Sequence, residues 1–202
     1  MCETDRCPIP ADDALYKAYH DTEWGIPTDS DQTFYEKVCL EGFQSGLSWR
    51  TILHRRAALR RAFADFDIPA VADFDDVDID RLMQDAGIIR NRRKICSAIN
   101  NARRALELQR DYGSLAAFFW QYEPAPATRP ASMSCSWLND NPTTPESSAL
   151  AGALKKRGWT YVGPTNMYAL MQALGLVNDH VSGCSARLTV QRARQAFTRP
   201  GT

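Results

Sequence analysis

Apolar residues recur at three- and four-residue spacing along most of the chain, the period of a helix that buries one face. Asp12 to His20 carries Leu15, Ala18 and Tyr19 behind two Asp residues that suit a helix N-terminus. Asp31 to Ser45 repeats the pattern through Phe34, Val38, Cys39 and Phe43, and Gly46 stops it. Ser48 to Phe63 offers an N-cap serine and an apolar stripe through Ile52, Leu59 and Phe63. Ile68 to Asp73, Ile79 to Ala86, Asn91 to Asp111 and Ser114 to Tyr122 predict four further helices.

The pattern breaks between Glu123 and Pro145, where five prolines stand among Ser, Thr and Asn. That composition predicts a long connection without helix. Helix returns over Glu146 to Lys156, ended by Gly158, with Lys155, Lys156 and Arg157 near its C-terminus. Trp159 to Val162 is the only strand-like stretch, and Thr165 to Leu174 predicts a helix capped by Gly175. Beyond Cys184 the chain is Arg-rich and weakly patterned, so residues 185–202 read as a partly frayed, flexible tail. The expectation is a mostly α fold without internal repeats, forming one unit over residues 1–202.

Composition narrows the class. The 202 residues are 44% hydrophobic and 24% charged, with 24 basic and 24 acidic side chains and a formal net charge of zero. No apolar run approaches the ~18 residues of a membrane span. Met1 to Arg6 has neither the basic start nor the apolar stretch of a signal peptide. A soluble cytoplasmic protein is expected. The six cysteines, Cys2, Cys7, Cys39, Cys96, Cys135 and Cys184, are too sparse for a disulfide-stapled scaffold; Cys39 and Cys96 read as core thiols. Charge is nevertheless segregated: Asp65 to Asp80 is acidic, while Arg55-Arg56, Arg60-Arg61, Arg90 to Lys94, Arg103-Arg104 and Lys155 to Arg157 are basic. Such clusters are either solvated helix faces or, if they converge, a nucleic-acid footprint.

Three constellations carry chemistry. Cys7 and His20 near one end, with His180 and Cys184 near the other, have the ligand types of a closed tetrahedral zinc site. The alternatives are a hydrogen-bonded histidine and a buried thiol. Asp85-Ala-Gly-Ile-Ile-Arg90-Asn-Arg-Arg-Lys94 lies between two predicted helices. Backbone N–H groups at such a hairpin, beside Arg and Lys, suit a phosphate; the alternative is a simple turn with a glycine cap. Finally, Glu41 stands in an apolar helical stretch, and Trp49 follows the Gly46-Leu47-Ser48 break. Glu41 is either a solvated helix residue or a pocket carboxylate facing a flat heterocycle stacked on Trp49, with Tyr16, Tyr19 and Trp24 adding aromatic walls.

Five ordered blocks make a resemblance specific: Tyr19-His-Asp-Thr-Glu-Trp-Gly-Ile-Pro27, Leu40-Glu-Gly-Phe-Gln-Ser-Gly-Leu-Ser-Trp49, Asp85-Ala-Gly-Ile-Ile-Arg90, Leu154-Lys-Lys-Arg-Gly158 and Gly175-Leu-Val-Asn-Asp-His180. Together they resemble the DNA-3-methyladenine glycosylase I family of bacterial alkylation-repair enzymes, from about Cys7 to Cys184. The resemblance implies a helix-hairpin-helix fold, with the motif about 79–111, and one structural Zn(2+) on Cys7, His20, His180 and Cys184. It implies a base pocket of Tyr16, Tyr19, Trp24 and Trp49, with Glu41 as the catalytic group. Gly46 and Leu47 would fill the gap left by base flipping, and Gly87, Arg90, Arg92 and Lys94 would hold the backbone. The implied partner is double-stranded DNA with alkylated adenine, acted on by a cytoplasmic monomer without a nucleotide cofactor. One departure stands out: Ile9 occupies a position where the family commonly has tryptophan. Alternatives are a helix-hairpin-helix glycosylase for another damaged base, a non-catalytic zinc-stabilised DNA-binding module, and a thiol or hydrolytic enzyme using Cys39 or Cys135.

Overall fold

The computed structural model describes residues 7–201. Cys2 and the Met1 to Arg6 stretch lie outside them. The described residues form eleven α-helices: α1 (Ala14–Thr22), α2 (Asp31–Gln44), α3 (Trp49–Ala62), α4 (Ile68–Ala72), α5 (Asp76–Gln84), α6 (Arg92–Tyr112), α7 (Leu115–Trp120), α8 (Cys135–Asp140), α9 (Pro145–Lys156), α10 (Pro164–Ala173) and α11 (Ala186–Ala196). No strand occurs among them. No helix is long and apolar enough to cross a membrane.

Helix α2 is central. Every residue from Phe34 to Phe43 is buried, charged ones included, and α3, α6, α7 and α10 pack around it. Buried charge on such a helix needs partners. Glu36 receives two hydrogen bonds from Arg60 at 2.9 and 3.1 Å, and Lys37 pairs with Glu41 on the same helix face. The start of α2 is capped by Ser30, whose hydroxyl accepts from the Thr33 amide. Its C-terminal carbonyls, left unpaired by the helix itself, are met from α6: the Lys94 ammonium donates to the carbonyls of Phe43 at 2.8 Å and Ser45 at 2.6 Å. From α10, the Asn166 amide reaches the Glu41 carbonyl and the Ser45 hydroxyl. The α2–α3 turn, where Gly46 adopts φ +80°, is therefore anchored on both flanks.

Four expectations are corrected. Trp159 to Val162 is not a strand but an irregular segment bending at Tyr161, in which the Thr160 backbone pairs with the Asn101 side chain of α6 instead of a neighbouring strand. The proline-rich connection holds α8 and a short 3-10 turn, Pro126–Thr128; its prolines fall at or outside the ends of these pieces, where a missing N–H costs nothing. The segment after Cys184 forms helix α11 in place of a frayed tail. Its inner face is narrow, with Ala186 and Val190 buried, and side chains at its end do the rest. Arg194 and Arg199 both reach Glu123, at 2.8 and 2.9 Å, and the Phe197 ring lies 4.9 Å from that of Trp120. Of the two expected core thiols, Cys39 is buried and Cys96 exposed.

Besides the main core, a small second cluster of Cys7, Val181, Cys184 and Ala186 gathers residues from both ends of the chain, with Trp24 and Leu138 against it.

Candidate active site and metal cluster

Helices α1, α2, α3 and α10 enclose a chamber of about 250 Å³. Its walls include Tyr16 and Tyr19 from α1, Lys37 and Glu41 from α2, Trp49 at the start of α3, and Ala169 and Gln172 from α10, with Trp24 at one side. Trp49 enters by way of its cap: the Ser48 hydroxyl accepts from the Thr51 amide and starts α3 directly after the turn. The Tyr19 and Trp49 rings stand 5.2 Å apart at 47°, and Tyr16 meets Tyr19 edge-on at 6.5 Å. Burial raises the pKa of both tyrosines, so they are neutral phenols at neutral pH. The indole N–H of Trp49 is buried and has no hydrogen-bond partner.

Glu41 is 4% exposed, which excludes the solvated-helix reading. Its partner is Lys37, 2.7 Å away. The Lys37 ammonium also lies 3.6 Å from the Trp49 ring centroid and 3.4 Å from the Tyr19 hydroxyl. Burial pulls the Lys37 pKa down, but Glu41 and Tyr19 together more than offset it, and the ammonium stays charged. Sequence reasoning missed Lys37. The signal was a Lys–Glu pair at four-residue spacing in a stretch that is otherwise apolar apart from Glu36. Ile9 lines the chamber together with Leu138 of α8, so that wall is aliphatic.

The proposed DNA-facing residues separate. Leu47 is 41% exposed at the α2–α3 turn, beside the exposed Gly46. Gly87 and Arg90 lie exposed on the connection between α5 and α6, and Arg92 lies exposed at the first position of α6. The Gly87 amide already donates to Asp85 at 2.7 Å, and Arg92 pairs with Asp80 at 2.7 Å. Lys94 corrects the expectation: it is buried, its ammonium is engaged by the α2 carbonyls, and it is not available to a phosphate.

Cys7, His20, His180 and Cys184 converge, all buried, with ligand atoms within 4.8 Å of one another. The Cys184 sulfur lies 3.5 Å from His180 Nδ1 and 3.6 Å from His20 Nε2, and the Cys7 sulfur 3.7 Å from His180 Nδ1. A tetrahedral ion with sulfur at ~2.3 Å and nitrogen at ~2.0 Å sets these edges at about 3.5 Å. The outer partners fix the tautomers. His180 Nε2 faces the Trp24 carbonyl at 3.0 Å; a carbonyl only accepts, so Nε2 carries the proton and Nδ1 keeps its lone pair. His20 Nδ1 faces the Asp21 carboxylate at 2.8 Å, leaving Nε2 for the cluster. Burial lowers the His180 pKa to about 4, which keeps the imidazole neutral. This donor set fits a metal ion. The loop before His180 is held by buried Asp179, which accepts from Tyr168 at 2.6 Å, Gln172 at 3.0 Å and Arg129. The sequence reading did not single out Arg129 or Asp179; Arg129 comes from the proline-rich connection.

The family model for methyladenine glycosylase matches residues 9–187. The chain belongs to the methyladenine glycosylase family. Among relatives of this family, it is 45% identical to DNA-3-methyladenine glycosylase 1 of Escherichia coli (strain K12) over 181 residues, covering 89% of this chain and 95% of that protein. The methyladenine glycosylase fold is matched by a crystal structure of 3-methyladenine DNA glycosylase I at TM-score 0.80 and 44% identity, over 89% of this chain and 98% of that one. A variant of 3-methyladenine DNA glycosylase I, solved in complex with 3-methyladenine, matches at TM-score 0.83 and 29% identity, over 91% of this chain and 98% of that one.

Proposed function

We propose that this methyladenine glycosylase hydrolyses the N-glycosidic bond of N3-methyladenine in double-stranded DNA and leaves an abasic site. The observation that carries this reading is the aromatic chamber with a single buried carboxylate, Glu41, beside the Trp49 ring. Methylation at N3 puts a positive charge on the attached base and makes it a good leaving group. The protein therefore needs chiefly to extrude the nucleotide, stack the base and favour its electron-poor form. Trp49 and Tyr19 offer faces to a cationic ring. Glu41 accepts from the base edge, and the unmet Trp49 N–H is a donor that a base acceptor satisfies. Both tyrosines stay uncharged in the process.

The exposed Leu47 side chain at the glycine turn is a wedge for the space that the flipped base leaves. The α5–α6 connection, read as a helix-hairpin-helix element, holds the DNA backbone through Arg90 and Arg92, with Arg92 exchanging Asp80 for a phosphate. Zinc is the ion that we assign to Cys7, His20, His180 and Cys184. Two thiolates and two imidazoles complete its coordination, so it supplies structure and no open position for chemistry. The reaction takes place where bacterial DNA lies, in the cytoplasm, and needs no nucleotide cofactor; one monomer supplies every residue invoked.

The test is release of free bases from DNA carrying mixed alkylation damage. Wild type releases 3-methyladenine, and Glu41→Gln lowers the rate by about 10²-fold or more. Equal rates would remove Glu41 from the chemistry. The aliphatic wall at Ile9 favours one second reading, a glycosylase for another damaged base, and the identity of the released base in the same assay decides between them.

A further inference from the structure

Lys37 occupies the place that the proposed function gives to the substrate. Its ammonium is centred over the Trp49 ring at 3.6 Å, bound to Glu41 at 2.7 Å and near the Tyr19 hydroxyl at 3.4 Å. A purine stacked on that face of the indole and bonded to Glu41 needs the same volume and the same carboxylate. Two cations cannot share them.

There is somewhere for the ammonium to go. Lys37, Tyr19 and Trp49 also line a second cavity of about 320 Å³. Its wall carries the carboxylates of Glu23 and Glu36, now paired with Arg56 and Arg60. A four-carbon side chain between two cavities, with acceptors in each, has two seats separated by rotamer changes alone.

We propose that Lys37 is a gating residue, a tethered cation that fills the base seat over Trp49 and is displaced toward the second cavity when a flipped base enters. The inference rests on the proposed base-excision function. A ligand that binds only the vacated state pays for that state's low population, so its apparent affinity falls by the vacated fraction. The same return of the ammonium to Glu41 and Trp49 expels the free base after cleavage.

The experiment is equilibrium binding of free 3-methyladenine, followed by quenching of tryptophan fluorescence, alongside steady-state excision from methylated DNA. Lys37→Ala clears the seat; it is expected to bind the free base at least about tenfold tighter and to lower the half-saturating DNA concentration, without a rise in kcat. Lys37→Arg keeps a cation over the indole and is expected to show no tightening. Unchanged or weaker binding by Lys37→Ala overturns the proposal. Should that variant fail to fold, the wild type decides. A structure with 3-methyladenine bound in which Lys37 Nζ has left the Trp49 ring supports gating, and one in which it stays overturns it. Wild type that neither binds nor releases 3-methyladenine refutes the underlying function and this inference with it. Wild type that does both, with no tightening in Lys37→Ala, refutes the gate alone.

Discussion

At the start of α1, the Asp13 carboxylate accepts from the Tyr16 amide at 3.0 Å, from Arg50 at 2.7 Å and from His54 at 2.8 Å. The His54 hydrogen bond, then that of the Tyr16 amide, holds its carboxyl at about 2 against an ordinary 3.8. A carboxyl lowered on folding contributes stability above its unfolded pKa and loses it as pH falls through the folded one. The stability gap between wild type and Asp13→Asn, measured by urea unfolding, is therefore widest above about pH 4 and closes toward pH 2. A gap independent of pH would show that the charge of Asp13 does not matter. Single residues differ in how well a sequence discloses them. Glu41 and Trp49 were legible because an acid inside an apolar helical stretch, followed at once by a Gly-Leu-Ser break, is a contrast that the local pattern exposes. Lys94 was misread because it ends a basic run, yet it shares the inward stripe of α6 with Ile95, Ala98 and Ala102. Lys37 offered only its four-residue spacing from Glu41 as a signal; that the pair is buried is decided by the four helices packed around α2, which no local pattern reports.

Among the elements, the end of α10 depends on one close approach. Gly175 has φ +77°, and a Cβ there would meet Pro27 N at 2.6 Å and the Gly25 carbonyl at 2.7 Å, both backbone atoms that cannot turn aside. The same loop is tied down by the Gly25 amide, which donates to the Ala173 carbonyl at 3.0 Å. Gly175→Ala is expected to cost roughly 3 kcal/mol or more, a fall of about 6–12 °C in Tm by thermal melting; a shift under about 2 °C would contradict the contact. The long helices were legible from period and caps: Ser30, Ser48 and Asn91 each stand at an N-cap and accept from an amide three residues on. Helix α11 was not, because two buried side chains make too faint a stripe. Its support comes from Glu123 and Trp120, more than sixty positions earlier in the sequence.

For the whole molecule, the Cys7, His20, His180 and Cys184 cluster, a candidate metal site, ties the two ends of the described residues together, with Cys7 meeting His180 across 173 positions. Closing so long a loop restricts the unfolded chain strongly. His180→Ala, or exhaustive chelation, is expected to lower Tm by roughly 5–10 °C and to abolish stoichiometric metal by elemental analysis. Base release per folded molecule should change less than stability does, since His180 itself is not in the chamber wall, although Cys7 and His20 of the same cluster are. Full metal content in His180→Ala would break the ligand assignment. That two distant Cys/His pairs belong together was suggested by residue type and ordered blocks; their convergence was not derivable, because it depends on how every intervening helix is laid down. The direction of synthesis gives this arrangement an order in time. Cys7 and His20 leave the ribosome well before His180 and Cys184, so the early pair waits while the residues between them are made. A nascent chain halted before residue 180 holds only half of this donor set.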